Sequence, residues 1–216
     1  SIDSQNINHD ADFMLIQGSY TLRDNDENIY CGIKRRQKKQ FKRNKKEYTR
    51  LSDHIGLLPL VLISPDDEGL ISEGSEARRK FIDGVISQFN NQYLDALLQY
   101  NHALKQRNAL LKEEKMNDIA LFEIWEEQMV LHGVYLFDER KKFIMRFIPL
   151  FQQIYSFISG DKEKVSLEYR SQLVDGDFAE KLAKNRERGR LIGFSINGIH
   201  KDELDMTLAG FPMNRV

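Results

Sequence analysis

Tyr100-Asn101-His102-Ala103-Leu104-Lys105-Gln106-Arg107-Asn108-Ala109-Leu110-Leu111-Lys112 lies midway along the apolar stripe that decides the fold. Upstream, Phe81, Val85, Phe89, Tyr93 and Leu97 lead into Tyr100, Leu104 and Leu111 at steps that fit one helical face. No proline occurs between Gly74 and Pro149, and Gly84 is the only glycine in that span before Gly133. The spacing predicts a helix over 75–112, about 57 Å long at 1.5 Å per residue. Asn117-Asp118 offers a cap for a second helix. Its face reads Leu121, Trp125, Met129, His132, Leu136, then Phe143, Phe147, Leu150, Ile154 and Phe157, and Gly160-Asp161 ends it. Two such stripes predict an antiparallel helical hairpin over 75–160. Pro149 predicts a kink or an interruption in its second helix.

The flanks have a different texture. Phe13 to Leu22, Ile29 to Ile33 and Gln40 to Thr49 read as strands of a small antiparallel meander, with a turn signal over Asp24 to Asn28. Pro59-Leu60-Val61-Leu62-Ile63-Ser64 reads as a short buried strand. Beyond the hairpin, Val165 to Leu173 alternates like a strand and Asp177 to Gly189 reads as a charged helix. Leu191 to Ile196 and Asp205 to Leu208 read as a final pair of strands. The expected class is α+β. Its segments are 1–74 as mainly antiparallel strands, 75–160 as a helical hairpin inserted as an arm, and 161–216 as a strand-helix-strand return.

The chain has 216 residues, of which 41% are hydrophobic, including 13 Phe and 8 Tyr, which excludes a disordered polymer. No apolar run approaches a membrane span. The single cysteine, Cys31, excludes an internal disulfide and a cysteine-based zinc site. That usage, with no charged-then-apolar stretch in the opening residues, leads to the expectation of a reducing, cytoplasmic setting. Ser1 in place of Met, and a stop at Asn214-Arg215-Val216 just past a strand-like stretch, lead to the expectation of an interior piece of a longer protein.

The formal net charge of -1 conceals a segregation. Lys34 to Arg50 holds Lys34, Arg35, Arg36, Lys38, Lys39, Lys42, Arg43, Lys45, Lys46 and Arg50 against Glu47 alone, so the segment carries +9 and the remainder -10. Cations packed this closely repel, and a phosphate backbone rewards their retention. Phe41 and Tyr48 interrupt the run and offer ring faces to sugars or bases. The alternative is a solvated edge hairpin whose lysines block aggregation.

Most catalytic patterns are absent. The sequence holds no G-x-x-x-x-G-K-[ST] loop. Val134-Tyr135-Leu136-Phe137-Asp138-Glu139 looks like a magnesium-holding strand, but it lies inside the helical period, where Asp138 and Glu139 face outward. His9, His54, His102, His132 and His200 include no pair at zinc-helix spacing. His102 and His132 read as packing residues of the hairpin. No catalytic residue and no metal ligand is assigned.

Three local texts stand out. Pro65-Asp66-Asp67-Glu68-Gly69-Leu70-Ile71 is followed by Arg78, Arg79 and Asp83. Two arginines at a helix start oppose the dipole, so acids or an anion should lie nearby, and the plainest arrangement is a local ion-pair network with Asp66, Asp67 and Glu68. Gln106, Arg107 and Asn108 break the apolar stripe with groups able to bond across the hairpin. Gly193 to Leu204 places His200, Lys201 and Asp202 at a charged tip after a glycine turn.

Together these texts resemble the RecF family of bacterial DNA replication and repair proteins. Tyr100 to Lys112 resembles the family's Tyr…Leu-x-Gln-Arg-Asn-x-Leu-Leu-Lys signature. Gly198 to Leu204 resembles its Gly-Pro-His-Arg-Asp-Asp-Leu, with Ile199 for Pro, Lys201 for Arg and Glu203 for the second Asp. The resemblance implies part of an ABC-type ATPase head, related to those of SMC and Rad50 proteins, with a helical arm. For the parent protein it implies ATP and magnesium, an ATP-dependent homodimer, duplex and gapped DNA, RecO and RecR type mediators, RecA loading and a place in the SOS response. The segment alone, lacking the phosphate loop, the signature serine and the metal Asp, is expected to be inactive. His200, Lys201 and Asp202 are expected near the nucleotide or the dimer interface. Two other readings stay open, a non-catalytic docking arm and the arm of a nuclease-linked ATPase.

Overall fold

In the computed structural model, which describes residues 3–113 and 118–213, the chain divides into two compact units, Ser1–Leu58 and Pro59–Val216.

The first unit is a four-stranded antiparallel meander, β1 (Phe13–Leu22), β2 (Asn25–Lys34), β3 (Gln40–Arg43) and β4 (Lys46–Glu47), in the order β1-β2-β3-β4. The first hairpin closes on Arg23 and Asp24, both at positive φ, with Leu22 opposite Asn25. The turn therefore takes in only Asp24 of the Asp24–Asn28 cluster, and Asn25 to Asn28 join β2. Glu27, Ile29, Cys31 and Ile33 alternate onto the buried face of β2. Ile7, Met14 and Phe41 pack against that face.

The second unit holds α1 (Gly69–Ser72), α2 (Ser75–Phe89), α3 (Asn91–Lys112), α4 (Ile119–Ser159), β5 (Val165–Arg170), α5 (Phe178–Lys184), α6 (Arg186–Ile192), β6 (Glu203–Leu208) and β7 (Phe211–Pro212). β5, β6 and β7 form an antiparallel sheet in that order.

The expected helix over 75–112 is two helices. Asn90 leaves the helical region at φ -133°, and its side chain accepts from the Tyr93 N–H, capping α3. An asparagine that can bond its own backbone offers the chain this alternative to helix. The second helix starts at Asp118, whose carboxylate accepts from Ala120 and Leu121 N–H; Asn117 lies outside the described residues. α4 runs through Pro149 and ends at Gly160 in the left-handed region.

The α3–α4 seam is buried at Tyr93, Ala96, Tyr100, Ala103, Arg107 and Leu111, facing Phe122, Glu126, Met129, Gly133, Leu136, Arg140 and Ile144. It shares Tyr93, Tyr100, Leu111, Met129 and Leu136 with the stripes of large apolar side chains, while Leu97, Leu104 and Trp125 flank it. Alanine and glycine let the helices approach; Arg107 pairs with Glu126 within the seam, while Arg140 pairs with Asp83 and Asp202 outside it. His102 packs edge-on against Trp125 at 5.5 Å between ring centres.

Two expected strands are absent. Leu60 to Ile63 is an exposed, irregular segment held by the Leu60 N–H to Gln88 Oε1 (2.9 Å). An apolar run becomes a strand only where an edge pairs with it, and none does among the described residues. Arg186 to Ile192 is helical, and Gly193 at φ +77° turns the chain into an irregular loop rather than a strand. The charged helix expected over 177–189 is accordingly split at Asn185 into α5 and α6.

Candidate functional site

The motif residues of the second unit converge on two buried arginines, one from each helix of the hairpin. Arg107 of α3 is 1% exposed. Its Nε donates to Glu126 Oε1 (3.0 Å), its Nη1 to Ser195 Oγ (2.7 Å) and its Nη2 to the Leu182 carbonyl (2.9 Å). Asn108 Oδ1 accepts from Ser195 N–H (2.8 Å) and from its hydroxyl (2.7 Å). Arg186 closes the far side of Glu126 with Nε and Nη2. Arg107, Arg186 and Arg190 all stand over the Phe122 ring at 5.5–5.9 Å. Gln106 is half-buried and takes no part in this set.

Arg140 of α4 is the second centre. It is 2% exposed, and Asp202 beside it is fully buried. Its Nε and Nη2 grip the Asp83 carboxylate at 3.0 Å each, and its Nη1 donates to Asp202 Oδ2 and the Ile199 carbonyl at 2.8 Å each. Tyr93 donates to Asp83 and Tyr169 to Asp202. Desolvation works against the Arg140 charge, but the carboxylates of Asp83 and Asp202 and the neighbouring tyrosines outweigh it and hold the guanidinium above its ordinary range. Arg79 donates to the Asp202 carbonyl (2.6 Å).

The glycine turn is built around Tyr100. Gly198 has φ +133°, and a Cβ there would lie 2.2 Å from the Tyr100 hydroxyl. That hydroxyl meets His200 Nδ1 at 2.9 Å, while His200 Nε2 faces the Ser195 carbonyl at 3.0 Å. A carbonyl can only accept, so Nε2 carries the proton and Nδ1 accepts from Tyr100. Burial pushes the His200 ring down to about 4. Lys201 is exposed and stands over the Phe194 ring at 5.0 Å.

The two arginines at the start of α2 donate to carbonyls, and Arg78 Nε is buried without a hydrogen-bond partner among the described residues. Arg78 Nη1 donates to Leu70 and Glu73 oxygens, and Arg79 reaches Asp202. Among the described residues no ion pair joins them to Asp67 or Glu68, and the side chain of Asp66 lies outside that description; Asp67 accepts from the Ser64 N–H at 2.7 Å. Arg140, Glu126, Ser195, Tyr93 and Tyr169 were not singled out by the sequence. The signal that could have found them was a charge on a helix seam, at Glu126 and Arg140.

In the first unit the basic run folds as an edge hairpin over β3 and β4, turning at Asn44 and Lys45 with φ of 48° and 71°. Part of it is engaged internally. Arg43 clamps the buried Glu27, and those hydrogen bonds hold the Glu27 carboxyl below its usual range. Asn44 bridges Glu27 and the Asn28 N–H. Lys39 pairs with Asp3, Arg35 donates to the carbonyls of Ile7, Asn8 and Ala11, and Lys42 stands 5.3 Å from the Tyr30 ring centre. Lys34, Arg36, Lys38, Lys45 and Lys46 are exposed and have no ion-pair partner among the described residues. Phe41 and Tyr48 are half-buried in a cluster with His54, whose Nδ1 meets the Tyr48 hydroxyl at 3.1 Å.

Among the described residues no group of three or more His, Cys, Asp or Glu converges as a metal site, and no helix is long and apolar enough to cross a membrane. Val134 to Glu139 is helical, and Glu139 bonds Asn90 and Lys142.

A paired helical arm whose buried arginines hold a glycine-turn loop, set on antiparallel sheet, belongs to the ABC-ATPase head architecture. Solved structures of the recombination mediator protein RecF in the RecFOR pathway superpose on the chain. The RecF-ATP form does so with a TM-score of 0.90 and 25% identity over 100% of this chain and 61% of that one. The RecF-ATPrS form gives 0.86 and 24% over 98% and 60%.

Over nearly its whole length the chain is similar to proteins of the RecF family. It is 56% identical over 215 residues to the DNA replication and repair protein RecF of Bacteroides thetaiotaomicron, covering 99% of this chain and 58% of that protein. With RecF of Flavobacterium johnsoniae it shares 42% over 98% of its length and 60% of the relative's. The chain thus spans about three-fifths of the length of the relatives it matches. No family model matches it.

Proposed function

We propose that the chain is part of an ATP-dependent DNA-binding protein of recombinational repair and replication, and that its basic edge hairpin contacts DNA phosphates. The observation that carries this is the set Lys34, Arg36, Lys38, Lys45 and Lys46, exposed and without ion-pair partners among the described residues while their neighbours Arg35, Lys39 and Arg43 are engaged within the unit. Lysines and arginines held this way neutralise phosphates and release counterions, giving sequence-independent, salt-sensitive affinity. The hairpin binds by charge rather than by stacking, since Phe41 and Tyr48 pack on His54.

In the whole protein, ATP with magnesium drives head dimerisation, and the complex acts at duplex or gapped DNA with RecO and RecR type mediators to promote RecA loading. This chain's residues include no phosphate-cradling sequence. Their part is positioning. Arg140 and Arg107 hold the loop that presents Lys201, the one member of the His200–Asp202 trio left exposed.

The test is duplex binding by the whole protein with Lys34, Lys38, Lys45 and Lys46 changed to Gln. The expected outcome is weaker binding, with the log-log salt slope shallower by about 0.9 for each phosphate that is no longer neutralised. Unchanged affinity and slope would remove the hairpin from the DNA-binding surface.

A further inference from the structure

An open groove of 630 Å3 runs between α4 and α5. Its floor is apolar, with Val130 and Leu131 on one side and Ala179 and Ala183 on the other. Leu131 is 63% exposed, and both alanines are exposed. Ala179 and Ala183 stand one turn apart on a single face of α5, and their short side chains leave a hollow into which a larger apolar side chain fits. The rim is acidic. Glu123 and Glu127 stand one turn apart on α4, Glu180 faces them from α5, and all three are exposed. None has an ion-pair partner among the described residues. The groove's other carboxylate, Glu126, is buried and shared by Arg107 and Arg186, so that trio keeps one positive charge, and Arg186 in the lining also feels Glu123.

We propose that this groove docks a basic amphipathic helix from a protein partner. Apolar side chains one turn apart would enter the hollow over Ala179 and Ala183, and Lys or Arg on the flanks would meet Glu123, Glu127 and Glu180. From Glu123 to Leu131 α4 rises about 12 Å, the length of two turns of a partner helix. Three exposed carboxylates against that single surplus charge leave the rim acidic and disfavour a nucleic acid here, because like charges repel. They also disfavour an acidic or a wholly apolar partner, which would leave them buried without cations. An apolar trough with a one-signed rim sets both the register and the sign of what binds.

The experiment uses the whole 216-residue chain and a fluorescein-labelled helical peptide of about 14 residues. The peptide carries Leu one turn apart and Lys on both flanks, and binding is followed by anisotropy. A control peptide has Glu in place of every Lys. The Lys peptide is expected to bind and the Glu peptide not to. Two changes are each expected to weaken binding by about tenfold: Ala183→Leu, which fills the hollow without altering charge, and the triple Glu123→Gln/Glu127→Gln/Glu180→Gln. Leu131→Ser, at an exposed helical position, is expected to weaken binding similarly and guards against misfolding of the first variant. Thermal unfolding of every variant is recorded alongside. Binding that survives both Ala183→Leu and Leu131→Ser but falls in the triple variant would reduce the site to unspecific charge attraction and overturn the proposal. Failure of the Lys peptide to bind would do the same. So would self-association of the chain that the triple variant abolishes, since the groove would then be filled by the basic hairpin of a second copy.

Discussion

Arg140 and Asp202 stand 62 positions apart in sequence, yet their side chains meet at 2.8 Å where neither is more than 2% exposed. The same guanidinium grips Asp83, so one cation answers two carboxylates from two other segments of the chain. Replacing Arg140 with Met keeps most of the volume and strands both acids. The expected loss is about 3–5 kcal/mol, read as a lower urea midpoint at unchanged slope. Adding Asp202→Asn to that background should recover part of the loss, because one buried charge is removed and the two sites share a network.

Gly198 and Gly210 separate steric from conformational cost. Both have positive φ, but a Cβ at Gly198 would strike the Tyr100 hydroxyl, whereas nothing lies within 4 Å of the Gly210 position. Gly210→Ala is expected to cost about 1 kcal/mol. Gly198→Ala should cost several times more, because the loop must retreat and break the Tyr100–His200 bond. Paired thermal melts of the two variants measure the difference.

Stability should fall on mild acidification. Burial pushes His200 down to about 4, below the unfolded value of about 6.5. A folded value below the unfolded one favours the neutral ring. Its contribution is therefore complete above about pH 6.5 and declines as the pH falls toward 4, by up to about 3 kcal/mol. Unfolding free energies at several pH values across that window should show the slope, and His200→Gln should flatten it.

Lys45 occupies a left-handed turn position, φ 71°, where a glycine is the unstrained choice after Asn44. Lys45→Gly is expected to raise the unfolding midpoint of the first unit, by about 0.5–1 kcal/mol in free energy. If Lys45 meets DNA phosphate, the same change lowers duplex affinity. Opposite signs for stability and binding in one variant would show what the lysine is retained for.

The hairpin helices were legible because their period is local, and the caps at Asp118 and Gly160 carry ordinary terminal chemistry. The Asn90 break was hidden, since it depends on a side chain that also reaches Tyr135 and Glu139 across the hairpin. Counting large apolar residues found Tyr93, Tyr100, Leu111, Met129 and Leu136 but missed the rest of the seam, because Ala96, Ala103 and Gly133 are small and Arg107 and Arg140 are charged. The motif residues drew attention to Arg79, Asp83, Arg107, Asn108, His200 and Asp202. They did not show that these side chains share two centres, because Arg140, Glu126 and Ser195 connect them from distant sequence. The segment Leu60–Ile63 misled because an apolar run specifies burial, not the strand that would pair with it.

Glu126 and Arg140 are fourteen positions apart on α4, about 21 Å along its axis. A rod held at one point can pivot, but one held at two can neither roll nor tilt without freeing one of them. Both holds end on the same short stretch of chain, through Ser195 by way of Arg107 and through Ile199 and Asp202 directly. Freeing that stretch would cost both holds their loop contacts at once, while Arg186 would still grip Glu126 and Arg140 would still grip Asp83. The loop is thus fastened to the helix at two levels, and its position is read off the helix rather than the reverse.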